Sequence, residues 1–371
     1  MNLRERLLVV GSQAGLARIG FSSAEPFPEV GEELKSRRAS GASGRLGFTF
    51  NDPDLATTPR RSFPWAETIV VGAYPYAPAR SSKPAPGTAR VSAAARAPGY
   101  APIRAALKQV AETLAHEGYR AEVLVDDNRL VDRAAAVRAG LGWWGKNTMV
   151  LAPGLGPWFL LGSVVTDASI APDQPMSRDC GSCSACMPAC PTGALVSPGV
   201  LDARRCLAAW AQTPGIIPVE LREAMGDRMY GCDDCLEACP PGNRVAATAE
   251  GIRFSLAEIL CLSDQSLLEV FGHWFIPNRD PRIIRRNALI AAGNSGSDSL
   301  ARLVAPYAGH PDWLLRVHAV WALARLGGPM AAAVIADRAL AESDQRVRDE
   351  LEMAAMSAHA SAGWVMPPIG K

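Results

Sequence analysis

No apolar run in the 371 residues is long enough to cross a bilayer. Trp158 to Val165, among the longest, falls far short of the ~20 residues that a spanning helix requires. An excess of either charge is also missing, since 38 basic and 37 acidic side chains leave a net charge of +1. A chain-wide basic field is excluded, so any contact with nucleic acid must use a local patch. Histidine is scarce, and His116, His273, His310, His318 and His359 show no metal-ligand spacing. The opening MNLRERLLVVGSQAGLARIGF lacks the apolar core and small-residue cleavage site of an export signal. It reads instead as an amphipathic helix with Leu3, Leu7, Leu8 and Val10 inside, and the protein is expected to be cytoplasmic and monomeric. Cysteine is absent before Cys180, although the chain holds nine.

Hydrophobic residues at 48% and charged residues at 20% are those of a globular chain large enough for two or three cores. The expected class is α+β and multidomain. An α/β segment covers 1–170, a ferredoxin-like module carries the cysteines over 171–250, and an all-α segment covers 251–371. In the first, residues 67–74 (ETIVVGAY) and 121–125 (AEVLV) read as buried strands. Residues 102–117 read as a helix with Ile103, Leu107, Val110 and Leu114 on one face, and 74–98, rich in Pro, Ala, Arg and Ser, as a loop. In the last, Asp280, Asp312 and Asp344 recur every 32 residues, each ahead of an apolar helical stretch. HEAT-like helical pairs account for that period, and a plain helical bundle is the alternative.

Eight of the nine cysteines fall between Cys180 and Cys239. Cys180, Cys183, Cys186 and Cys190 stand in C-x2-C-x2-C-x3-C-P; Cys232, Cys235 and Cys239 stand in C-x2-C-x3-C-P, with Cys206 outlying. Three closely spaced thiolates wrap three corners of an iron–sulfur cube, and the cysteine before proline serves the other cube. Cys180, Cys183, Cys186 and Cys239 are therefore assigned to a first [4Fe-4S] cluster, and Cys190, Cys206, Cys232 and Cys235 to a second. Paired C-x2-C units also bind zinc, but zinc requires neither the three-fold run nor the trailing prolines. The stretch 207–225 (LAAWAQTPGIIPVELREAM) reads as a helical insertion, and Cys261 as a buried thiol outside the clusters.

Two further stretches carry candidate chemistry. Asp126 and Asp127 follow a strand, where a carboxylate faces a pocket or merely caps a turn. In AGLGWWGKNTMVL, Gly140 is placed to end a helix running from about Leu130 to Arg138. Gly142 and Gly145 permit close backbone approach, and Lys146 and Asn147 offer polar contacts; a structural turn anchored by Trp143 or Trp144 is the alternative.

These stretches together resemble the epoxyqueuosine reductases. The resemblance rests on GLARIGFSSAEPF, VDDNRLVDRAAAVRAGLGWWGKNTMVL, PWFLLGSVVTD, CGSCSACMPACPTGAL, MYGCDDCLEACP and IPNRDPRIIRRNALIAAGN, in order along nearly the whole chain. It implies an oxidoreductase that uses cobalamin and two [4Fe-4S] clusters to remove the epoxide oxygen of epoxyqueuosine at the tRNA wobble position. By resemblance, Asp126 is the proton donor and a cobalamin neighbour, and Gly145, Lys146 and Asn147 line the cobalamin side. The helical tail docks tRNA, and its nine arginines against six acids over 280–348 suit phosphate contacts. A low-potential donor supplies electrons. The chain departs from the family where V-D-T-A-P becomes Val125-Asp126-Asp127-Asn128-Arg129, making Asp127 a rival donor, and where Tyr-His becomes Tyr100-Ala101. A reductive-dehalogenase-like enzyme with another substrate, or a ferredoxin-type carrier without an active site, are the rival readings.

Overall fold

The computed structural model describes residues 1–80, 85–96, 98–247, 249–250 and 253–361. The chain divides into two compact units. One comprises Met1–Ser81, Ser92–Ala209 and Cys232–Gly251; the other comprises Ser82–Val91, Trp210–Gly231 and Ile252–Lys371. Segments 1–170 and 171–250 thus share a unit, while 82–91 and 210–231 join the helical one.

The first unit is built on an antiparallel sheet of β1 (Arg18–Ser23), β2 (Thr68–Pro75), β3 (Ala121–Leu124) and β4 (Phe159–Thr166), in the order β1-β2-β4-β3. Side chains alternate across a pleated strand, so β2 serves both faces. Val70 packs with Leu7 of helix α1 (Leu3–Gln13) and with Ile103, Leu107, Val110 and Leu114 of α2 (Ala101–His116). Ile69, Val71 and Ala73 pack opposite, against Phe27, Phe63 and the alanines of α3 (Asp132–Arg138). Helical cover on both faces explains why β2 is apolar throughout rather than alternating. Leu7 is fully buried, while Leu3, Leu8 and Val10 are only partly so. β3, expected to be buried, is half-buried over Ala121–Val123 because it lies at the sheet edge and pairs only with β4.

The expected loop over 74–98 also holds a strand, Thr88–Val91, whose Ala89 and Val91 are buried. It lies between Arg228–Tyr230 and Arg253–Ser255 in a three-stranded sheet of the second unit. Residues 81–84 and 97 of that stretch are outside the described residues.

The insertion at 207–225 is helical, as read, over Leu207–Gln212 and over α4 (Val219–Met225). From Trp210 onward it belongs to the second unit, where polar side chains of one helix hold it. Arg286 of α6 (Pro281–Asn294) is fully buried and donates to the carbonyls of Trp210, Thr213 and Gly215, while Asn287 donates to those of Ala211 and Met229. Buried donors need such partners, so the fixed carbonyls bind the insertion in place.

The 32-residue period becomes one motif used three times. Asp280, Asp312 and Asp344 precede α6, α8 (Trp313–Leu326) and α10 (Gln345–Ser361), and each carboxylate accepts the N–H two residues on, at 3.0, 2.8 and 3.0 Å. An acidic cap at a helix start satisfies a free N–H and complements the helix dipole. Helices α7 (Ala301–Ala308) and α9 (Gly328–Ala341) lie between. Cys261 is exposed, contrary to expectation, because helix α5 (Leu256–Cys261) buries Leu256, Ile259 and Leu260 and turns position 261 outward.

Arg222 and Glu350 form a 2.7 Å ion pair, both almost wholly buried. Glu350→Ala leaves the guanidinium uncompensated and is expected to cost about 3–5 kcal/mol. Chemical denaturation checks this, and the double variant Arg222→Met/Glu350→Leu should recover most of the loss.

Candidate active site

Val125, just beyond the last residue of β3, is buried, and the chain then turns outward through Asp126 at φ +54°. That left-handed conformation is costly for a residue with a Cβ and marks a backbone held by its surroundings. The two neighbouring acids meet different fates. Asp127 is clamped by Arg129: its carboxylate accepts from the backbone N (2.9 Å), Nε (3.0 Å) and Nη2 (2.7 Å). Arg129 is itself braced by Glu122 at 2.8 Å and lies 4.9 Å above the Phe63 ring. The Arg129 hydrogen bonds hold Asp127 below the usual carboxylate range, whereas Asp126 is pushed up, first by desolvation, with Arg104 opposing and Asp127 adding. Asp126 therefore holds its proton to higher pH than Asp127, whose carboxylate is engaged by Arg129. Arg129→Leu should release Asp127, raising its pKa toward and beyond the ordinary value as measured by carboxyl NMR titration.

Three more groups face the same place. Asp132, at the start of α3, is pushed up to about 8, chiefly by burial and then by Asp126, with Arg133 opposing. Burial likewise raises Tyr100 to about 12, with Asp126 and Asp132 adding and Arg133 opposing. Arg133 reaches solvent and its Nη1 donates to the Thr148 carbonyl at 3.4 Å, yet desolvation dominates its environment too. Side chains that touch water and are still crowded on most sides line a recess. Asp132 and Arg133 lie within the stretch that carried the resemblance but gave no separate signal; Tyr76, on which Tyr100 acts electrostatically, gave none.

The turn after α3 is set by glycines. Gly140 takes φ +67° and ends the helix, with Leu141 N–H returning to the Ala136 carbonyl at 3.0 Å. A Cβ on Gly142 would collide with the Leu151 carbonyl, because Trp143–Trp144 pairs closely with Val150–Leu151. Trp143 is 4% exposed and anchors this hairpin; Trp144 is 44% exposed. Gly145 N–H donates to the Met149 carbonyl at 2.8 Å. Lys146 Nζ donates to the Gly181 carbonyl at 2.7 Å, in the loop between Cys180 and Cys183. Asn147 is 3% exposed, and its Nδ2 has no acceptor among the described residues.

The cysteines gather as two sets of four. Cys239 is pushed up to about 11, first by burial, with the Gly242 N–H opposing and the thiols of Cys180, Cys186 and Cys183 adding. Cys235 is raised by burial and then by Cys232, Cys206 and Cys190. The sulfurs that act most on Cys239 are those of the triple run, and those that act most on Cys235 are Cys232, Cys206 and Cys190. Around the second set, N–H groups of Thr192, Leu195 and Ala194 pull Cys190 down against desolvation, and those of Ala208 and Ala209 face Cys206. Donors aimed at sulfur favour thiolate over thiol, as cluster ligation requires. No three His, Cys, Asp or Glu side chains among the described residues close on one point as an isolated ion demands.

Residues 179–242 match the 4Fe-4S double cluster binding domain, and residues 275–356 match HEAT repeats. The epoxyqueuosine reductase of Bacillus subtilis (strain 168) is 32% identical over 368 residues, covering 94% of each chain. The chain belongs to the epoxyqueuosine reductases. A solved epoxyqueuosine reductase bound to an epoxyqueuosine-modified tRNA-Tyr stem loop superimposes with a TM-score of 0.87 at 30% identity, covering 95% of this chain and 97% of the other. A second, from Bacillus subtilis, has an aspartate catalytic loop swung out of its active site; it superimposes at 0.85 with 30% identity, covering 95% and 98%. The family carries the architecture found here: a mixed α/β body, a double-cluster segment and helical repeats. No helix among the described residues is long and apolar enough to cross a membrane.

Proposed function

We propose that this epoxyqueuosine reductase converts epoxyqueuosine to queuosine at the wobble position of tRNA, with Asp126 as the acid. The carrying observation is the contrast between two adjacent aspartates, one neutralised by Arg129 and one desolvated, with no hydrogen-bond or ion-pair partner among the described residues. Removing an epoxide oxygen as water consumes two electrons and two protons. Asp126 donates one proton to the departing oxygen, and Asp132, whose raised pKa keeps it largely protonated at neutral pH, stands behind it as a reserve. An aspartate on a loop that swings, as in the Bacillus subtilis relative, agrees with the left-handed backbone at Asp126.

Cobalamin enters through the family resemblance, and when bound it supplies a strongly nucleophilic reduced cobalt. The Asn147 Nδ2, without an acceptor among the described residues, suits a bound cofactor with acceptors, and Gly145 and Lys146 on the same turn are assigned with it to that side. The clusters feed this centre in order. Cys235 and Tyr76 pack against the same apolar cluster of Ala93, Trp158 and Leu236, and Tyr100 acts electrostatically on Tyr76, which supports a second cluster on the side of the recess. Cys183 of the first set is exposed and receives electrons from an external low-potential donor.

The helical repeats take the tRNA, but not through the arginine excess as such. Of the nine arginines over 280–348, Arg282, Arg285, Arg316, Arg325, Arg338 and Arg346 are paired to carboxylates, and Arg286 is spent on buried carbonyls. Arg302 is exposed without a partner among the described residues, and Arg348 holds only Gln345. Few phosphate contacts then come from this stretch, which sets a shallow salt dependence for its share of binding. The protein acts as a cytoplasmic monomer in this reading. Nucleoside analysis of tRNA from a deletion strain tests it: epoxyqueuosine accumulates and queuosine disappears, whereas unchanged queuosine would reject the substrate.

A further inference from the structure

One of the few buried polar atoms without a partner lies against the first cysteine set. Trp143 is 4% exposed, and its indole Nε1–H meets no acceptor among the described residues. Trp143 shares one buried apolar cluster with Leu151 and Cys239, against which Met176 and Cys180 pack. The two cysteines come from opposite ends of the same set, one from the start of the triple run and the other the crossed ligand. Leucine offers no acceptor and the Met176 thioether a weak one, whereas cluster-bound thiolate and sulfide carry negative charge and would be the strongest acceptors in this shell. Above the ring, 4.3 Å from its centroid, lies the guanidinium of Arg178, two residues before Cys180. A cation over an indole face is attracted to its π electrons and draws density from the ring, making the N–H a stronger donor.

We propose that the Trp143 indole N–H donates to a sulfur of the first cluster and, polarised by Arg178, raises that cluster's reduction potential. A donor to sulfur stabilises the more negative, reduced cluster, and hydrogen bonds to sulfur are among the levers that set cluster potentials. In the reaction, one electron at a time moves from the external donor onto this cluster. Its raised potential makes it the acceptor, while no bond to Trp143 forms or breaks. The inference rests on Cys180, Cys183, Cys186 and Cys239 holding one cube.

Trp143→Phe keeps a ring in place and removes the donor. In an EPR-monitored redox titration of the cluster-loaded protein, one of the two cluster waves moves negative and the other stays. The reduced-to-oxidised ratio at fixed potential falls about tenfold, or about 59 mV for a one-electron couple. Arg178→Met moves the same wave the same way by less. Unmoved waves, or two waves shifting together, at about eight irons per chain overturn the proposal; fewer irons in the unsubstituted protein overturn the cube assignment beneath it. If Trp143→Phe fails to retain its cluster, unsubstituted protein carrying nitrogen-15 tryptophan decides. Hyperfine coupling of a reduced cluster to an indole nitrogen supports the donor, and its absence sinks it.

Discussion

Asp126→Asn loses at least about 100-fold in turnover while keeping about eight irons per chain, since positioned acids contribute 10²–10⁴-fold. The amide matches the carboxyl in size, so the left-handed turn after β3 survives and only the proton is missing. The unsubstituted enzyme carries a pH signature of the same group. Desolvation raises the Asp126 pKa, so activity falls as pH climbs through a value above the ordinary carboxylate range, and Asp126→Asn removes that limb. Asp127→Asn is the control: its carboxylate serves Arg129, so stability suffers more than turnover. Equal losses from both substitutions would mean that the Arg129 clamp does not separate their roles.

Cys239→Ser produces a protein with about four irons, and the cluster it retains is the second. Its neighbours in the chain, Cys232 and Cys235, belong to that second set, while the sulfurs acting on Cys239 are those of Cys180, Cys183 and Cys186. The EPR spectrum of reduced Cys239→Ser should therefore match that of Cys183→Ser and differ from that of Cys232→Ser. A spectrum matching Cys232→Ser would show that each cube is ligated by consecutive cysteines. Electron supply to the recess stops in Cys239→Ser, because the remaining cluster no longer has its partner on the route from Cys183.

Much of this was legible in the chain because short-range rules govern it. The C-x2-C-x2-C-x3-C-P run points to two iron–sulfur cubes, in agreement with the match to a double cluster binding domain, and the Asp-led period reports helix caps that recur in the structure. Gly140 and Gly142 were readable because a positive φ and a close carbonyl leave no other residue. What was hidden depends on distant partners. Thr88–Val91 looks like part of a proline-rich loop until Arg228–Tyr230 and Arg253–Ser255 flank it. Arginine counts over 280–348 suggested a phosphate surface, yet most of those side chains close ion pairs or fill buried carbonyls. The resemblance favours Asp126 over Asp127 only by position in the motif, and the different surroundings of the two carboxylates depend on where Arg129 folds. Cys261 sits in an apolar stretch, but helix phase against the other core residues turns it to solvent.

The most direct measurement is anaerobic turnover by the purified, cluster- and cobalamin-loaded chain on epoxyqueuosine-containing tRNA, read by mass spectrometry of the released wobble nucleoside. The account predicts that a low-potential reductant drives loss of one oxygen atom's mass to give queuosine, and that Asp126→Asn leaves the epoxide in place. Intact epoxyqueuosine after incubation with fully loaded, fully reduced enzyme would contradict it.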